Sequence, residues 1–189
     1  MKILVLDNFD SFTYNLVHLL ESLNVTDYKV SRNNEISLSD VNHFDKIILS
    51  PGPGIPKDAG IMPELIKEYS DSKSIFGVCL GMQGIVESFG GKLCNLTEPL
   101  HGVGTKIYIL SETEKLFLGI QSPLSGGHYH SWVADKESLP DCLTVTAEDE
   151  NGNVMAVRHS SLDVCGVQFH PESIMTQYGK EIIGNWLRK

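Results

Sequence analysis

The pentapeptide Gly77-Val78-Cys79-Leu80-Gly81 sets the tightest limit on how this chain can fold. It has the form G-x-C-x-G. It follows the apolar run Ser74 to Val78 and precedes a helix-like stretch from Leu80 to Phe89. A strand that becomes a helix within one residue forces the corner residue into a strained backbone conformation. Glycine on either side removes the side chains that would collide with neighbouring backbone. The corner then lifts one side chain, here the Cys79 thiol, clear of the sheet. The amides and dipole at the start of the following helix favour negative charge on that sulfur, and so the reactive thiolate.

The rest of the first half fits the same scheme. Lys2 to Leu6 and Lys46 to Leu49 are short apolar runs that read as buried strands. Phe12, Leu16, Leu19, Leu20 and Leu23 recur at helical spacing, with Asp10 or Ser11 as the expected cap. Ile61 to Tyr69 reads as a helix with Pro63 in its first turn. Alternating strands and helices predict an α/β fold: a mostly parallel, open, twisted sheet with helices on both faces and a flavodoxin-like core. The second half predicts strands over Thr105 to Leu110, Leu143 to Ala147, Val154 to His159 and Val164 to Phe169, with a tight hairpin at Asn151-Gly152. These add antiparallel strands to an edge or face of the main sheet. Ile182, Ile183, Trp186 and Leu187 predict a final helix that packs back on the core. With 189 residues, no repeat and no linker, residues 1–189 are expected to form a single domain.

The net charge of -9, without any Lys/Arg run, argues against a nucleic-acid or anionic-membrane surface. No stretch approaches the ~20 apolar residues of a membrane span. The opening MKILVLDNFDSF is too short in apolar residues for a signal peptide, so a cytoplasmic, reducing setting with free thiols is expected. Of the four cysteines, none forms a C-x-x-C pair, and Cys94, Cys142 and Cys165 read as small core residues. His128-Tyr129-His130 has the look of a metal pair but lacks a third ligand at a matching spacing, so no metal site is expected.

A thiolate needs a base, and the base needs something to orient it. His170 follows an apolar strand and precedes Pro171-Glu172. If that strand is parallel to the one before Cys79, the two residues share an edge. Pro171 holds His170 extended, and Glu172 is placed to accept the imidazole N–H. On its own this segment would pass for a solvated loop. Ser50-Pro51-Gly52-Pro53-Gly54 is a stiff loop at another strand end, suited to presenting backbone N–H groups to an oxyanion. In open parallel sheets ligands bind beyond the carboxyl ends of the strands. Asp7-Asn8-Phe9-Asp10, Ser50 to Gly54 and Cys79-Leu80-Gly81 all fall there.

Together these segments resemble the class I, triad-type glutamine amidotransferases over nearly the whole chain. The matching pieces are Ser50 to Gly54, Gly77-Val78-Cys79-Leu80-Gly81-Met82-Gln83 and Gly166-Val167-Gln168-Phe169-His170-Pro171-Glu172. The opening Asp7-Asn8-Phe9-Asp10-Ser11-Phe12-Thr13-Tyr14-Asn15, with Leu100-His101-Gly102 and Tyr129-His130-Ser131-Trp132, is similar to the glutaminase subunits of chorismate-utilising synthases, those of anthranilate and aminodeoxychorismate.

The resemblance implies that Cys79 attacks the side-chain amide of L-glutamine, His170 passes protons and Glu172 orients His170. It implies oxyanion donors at Gly52 and Leu80. It implies a glutamine pocket lined by Gly52, Pro53, Gly54, Leu80, Gln83, Ser131 and Trp132. Ammonia would pass to a chorismate-binding large subunit, making anthranilate in tryptophan biosynthesis or, alternatively, serving p-aminobenzoate and folate. No cofactor is implied in this chain, and magnesium would belong to the partner. Met82, where the family often has histidine, and Val103, where it often has lysine, depart from the pattern. Two rivals stay open. One is a peptidase-like cysteine-elbow protein, which would not need the Pro-Gly loop and the His-Pro-Glu segment together. The other is a non-enzymatic flavodoxin-like module, disfavoured by Asp7 and Asp10 where a phosphate would need donors.

Overall fold

Apolar runs become strands and periodic segments become helices in the computed structural model, which describes residues 1–111 and 114–188. The first half runs β1 (Ile3–Asp7), α1 (Thr13–Ser22), β2 (Tyr28–Arg32), α2 (Leu38–Val41), β3 (Lys46–Leu49), α3 (Met62–Tyr69), β4 (Ser74–Val78) and α4 (Leu80–Ser88). The second half runs β5 (Leu93–Ile109), β6 (Leu124–Ala134), β7 (Leu143–Asp149), β8 (Val154–His159), β9 (Val164–Val167) and α5 (Gly179–Leu187).

The described strands form one sheet, ordered β2-β1-β3-β4-β9-β8-β7-β5-β6. From β2 to β9 the pairing is parallel, and from β9 onward it is antiparallel. The antiparallel half therefore extends an edge of the parallel half, with β9 as the joint.

Alternation along the buried strands sends side chains to two faces. Ile3, Val5, Ile48, Phe76 and Val78 face α1 and α5, where they pack with Leu16, Leu20, Ile182, Ile183 and Trp186. Leu4, Leu6, Ile47, Leu49 and Ile75 face α3 and α4, with Met62, Leu65, Ile66, Ile85 and Val86. Both faces are covered, as the continuous apolar runs require.

Several elements differ from the sequence reading. The first helix caps on Phe12 rather than on Asp10 or Ser11, although Asp10 Oδ1 accepts from the Phe12 N–H at 2.7 Å. The long strand β5 begins at Leu93, not Thr105, and β2 and β6 carry no apolar run that would announce them. β9 stops at Val167, two residues short of Phe169. Cys165 is buried and Cys142 half-buried, but Cys94 is exposed on β5, so it is not a core residue. None of the four cysteines is joined in a disulfide. Among the described residues no helix is long and apolar enough to cross a membrane.

Candidate active site

Cys79 occupies the corner between β4 and α4 with φ 52° and ψ -105°, a conformation that costs an L-residue energy. The flanking glycines are demanded by contact. A Cβ on Gly77 would lie 2.5 Å from the Gly81 carbonyl carbon, and one on Gly81 would lie 2.4 Å from the Leu49 oxygen. Cys79 is also the N-cap of α4, so its sulfur sits beside unpaired helix amides.

β4 and β9 are adjacent and parallel, with Val78 opposite Val167. Their carboxyl ends therefore deliver Cys79 and the Gln168-Phe169-His170 segment to the same rim. The His170 N–H donates to the Gly127 carbonyl at 2.9 Å, which fastens the segment to β6. His170 Nδ1 and Glu172 Oε1 are 2.7 Å apart, and both side chains are buried. The ring of Tyr129 meets the imidazole edge-on at 4.9 Å, and that of Phe12 at 6.2 Å.

With Nδ1 engaged by Glu172, the buried Nε2 of His170 is left without a hydrogen bond of regular geometry, and the group it responds to is Cys79. Burial pulls the imidazole pKa down. The Cys79 sulfur and the Glu172 carboxylate outweigh burial and push it up to about 10. A histidine held between a cysteine sulfur and a glutamate is an arrangement suited to nucleophilic catalysis. Glu172→Gln keeps the shape and removes the charge. It is expected to lower glutaminase kcat by on the order of 10²–10⁴ with little change in KM, in steady-state ammonia release.

Beside the sulfur lies a cavity of about 140 Å³ lined by Gly52, Pro53, Gly54, Cys79, Leu80, Gln83, His101, Tyr129, His130, Ser131 and Trp132. It gathers every residue expected in the pocket. Gly52 is pressed so close that a Cβ would lie 2.5 Å from the Asn8 oxygen and 2.8 Å from Leu80 Cδ2. Asn8 ties the first loop to this one, donating from its backbone to Ser50 Oγ and from its amide to the Ser50 carbonyl, each at 2.8 Å. On the far wall Gln83 Nε2 donates to the Trp132 carbonyl at 2.8 Å. His101, Tyr129 and His130 are additions, and the first two are directly opposite each other on β5 and β6, a pairing that no local pattern encodes. Met82 is fully buried against the α3–α4 side of the sheet, and Val103 is exposed on β5.

From the cavity wall inward, His130, His128 and the half-buried Thr105 Oγ1 form a polar thread, with contacts of 3.1 Å and 2.8 Å. Burial holds His128 down to about 4, reinforced by His170, and holds His130 down to about 3, reinforced by His128 and then His170. Both stay neutral in the folded chain but bind protons near the ordinary 6.5 once unfolded. Their stabilisation is therefore full above that value and lost as the pH falls toward their folded values. His170 runs the other way: its share is complete below 6.5 and gone once the pH rises through about 10. Melting temperatures measured from about pH 4 to 9 are expected to peak near neutrality, with a steep acid limb that flattens in His128→Asn.

Residues 4–189 match the family model described as glutamine amidotransferase class-I. The chain is 44% identical over 187 residues to the aminodeoxychorismate/anthranilate synthase component 2 of Bacillus subtilis (strain 168), covering 98% of this chain and 95% of that one. It is 41% identical to anthranilate synthase component 2 of Pseudomonas aeruginosa, covering 99% and 95% of the two chains. It is 40% identical to aminodeoxychorismate synthase component 2 of Escherichia coli (strain K12), covering 99% and 100%. A crystal structure of a candidate GMP synthase subunit from Thermoplasma acidophilum superposes with a TM-score of 0.88 at 28% identity, covering 100% of this chain and 92% of that one. A cysteine corner, a neighbouring histidine–glutamate pair and a match from residue 4 to the end lead to one family: the chain belongs to the class-I glutamine amidotransferases.

Proposed function

We propose that this chain is the cytoplasmic glutaminase subunit of a chorismate-utilising synthase. Its work is to hydrolyse L-glutamine through a Cys79 thioester and pass ammonia to a chorismate-binding large subunit. The observation that carries the chemistry is the buried His170–Glu172 pair, whose imidazole interacts with Cys79, itself part of the cavity wall. Cys79 Sγ attacks the side-chain amide carbon. N–H groups of Gly52 and Leu80 hold the oxyanion. The C–N bond breaks as His170 hands its proton to the departing nitrogen, releasing ammonia. Water, deprotonated by His170, then attacks the thioester, the C–S bond breaks, and glutamate leaves. Ammonia reacts only until water protonates it, which explains why such a subunit works docked on its synthase. Magnesium is assigned to that synthase.

The pathway reading is anthranilate synthesis, with p-aminobenzoate synthesis second. Both are compatible with the relatives, of which one carries both names, one the anthranilate name and one the aminodeoxychorismate name. A single glutaminase serving both synthases is compatible with them. A glutamine-like electrophile is expected to label Cys79 and block glutamine-dependent synthesis, and glutamine to protect against both. Labelling that glutamine does not slow, with no ammonia released in the presence of the large subunit, overturns the reading. Which aromatic amine the native complex forms from chorismate decides the pathway.

A further inference from the structure

Gln168 is fully buried one step beyond β9, and the mechanism so far leaves it idle. Its carboxamide bridges two parts of the site. Gln168 Nε2 lies 3.5 Å from Cys79 Sγ, and Gln168 Oε1 lies 3.2 Å from Gln83 Nε2. The orientation of the amide follows from the network itself. The Trp132 carbonyl only accepts, so the Gln83 atom 2.8 Å from it is the nitrogen. That nitrogen only donates, so the Gln168 atom facing it is the oxygen. The remaining end of Gln168, the N–H end, is therefore aimed at the sulfur.

We propose that Gln168 is a further catalytic residue. Its side-chain N–H donates to the reacting sulfur of Cys79, while Gln83, braced on the wall of the cavity, fixes which end of the Gln168 amide faces that sulfur. A hydrogen bond to an anionic acceptor is among the stronger kinds, and burial strengthens it further. The bond favours thiolate in the resting enzyme and holds Sγ on its line of attack. It also links the wall that receives substrate, through Gln83, to the nucleophile. The inference deepens the glutaminase reading and rests on it for its catalytic meaning.

The test is the pH profile of Cys79 alkylation by iodoacetamide in the full chain. It is followed by mass spectrometry on the peptide carrying Cys79, because Cys94 is exposed and also reacts. Gln168→Met removes the donor at similar volume, and the midpoint of the profile is expected to rise by about one pH unit. Gln168→Glu keeps the shape and replaces the donor by a negative charge, and the midpoint is expected to rise by about two. With the large subunit present, kcat for Gln168→Met falls about tenfold and KM stays nearly constant. If the Met variant does not fold, the near-isosteric Glu variant carries the test. Folded variants whose alkylation midpoint matches the parent overturn the proposal, even if their glutaminase activity is lost. Alkylation needs neither glutamine nor a synthase, so failure of the glutaminase reading would leave this result interpretable on its own.

Discussion

In Cys79→Ser, glutamine-dependent amine synthesis by the complex is expected to fall by on the order of 10⁴ or more, while synthesis from added ammonia stays at the parent level. A serine hydroxyl at the same corner meets the same helix amides and the same imidazole. It does not become an anion at neutral pH, so the contribution of the Cys79 sulfur that raises His170 is lost. His170 should then titrate lower, which NMR of its ring protons can follow. The substitution removes little volume and leaves the glycine-lined turn intact, so the subunit still folds and docks. Retention of ammonia-dependent synthesis separates a chemical defect from an assembly defect. Equal loss of both activities would place the damage in docking instead.

Gly81→Ala is expected to destabilise the fold by about 3 kcal/mol or more, at the upper end of overpacking costs. The added methyl would sit 2.4 Å from the Leu49 oxygen and 2.7 Å from Leu49 Cβ. Both atoms belong to β3, a buried strand paired on both sides, so neither the strand nor the helix start can move aside cheaply. For a chain of this size that corresponds to a drop in Tm of roughly 6–12 °C. The damage is not confined to stability, because relief of the clash would rotate the corner and swing the Cys79 sulfur away from His170. Gly104→Ala is the control. It lies on exposed β5, where the nearest atom to a new Cβ is Ser125 Oγ at 3.4 Å, and its effect is expected within about 0.5 kcal/mol. Scanning calorimetry of both variants, with alkylation of Cys79 as a reporter of the corner, checks the pair.

The parallel half of the sheet was legible because burial on both faces writes continuous apolar runs. β3 and β4 fall on the runs read from sequence, and α3 follows its helical spacing. The candidate site was legible for a different reason: a cysteine between glycines is a costly choice for a plain connection, and His170-Pro171-Glu172, which alone would pass for a solvated loop, drew meaning from the resemblance it completes. β2 was hidden because its sequence, YKVSR, lies at an edge and is half exposed. β6 was hidden because Gly126, Gly127 and its histidines are poor strand formers that only cross-strand pairing with β5 holds in place. The cavity wall contributed by His101 and Tyr129 was hidden with it, since their juxtaposition exists only once that hairpin has formed. Cys94 misled for the same reason: on the exposed β5 a small thiol has no core to enter.

β9 joins β4 only after β5, β6, β7 and β8 have been laid down between them in the chain. During synthesis on the ribosome, a nascent polypeptide that has emerged as far as β8 carries Cys79 without His170. Closing the sheet at its central joint is what brings Cys79 and His170 to one rim, so under the proposed mechanism half-made copies leave glutamine untouched. The same wiring makes the docking of β9 a late, long-range folding event, and a fragment broken off before it would be chemically silent.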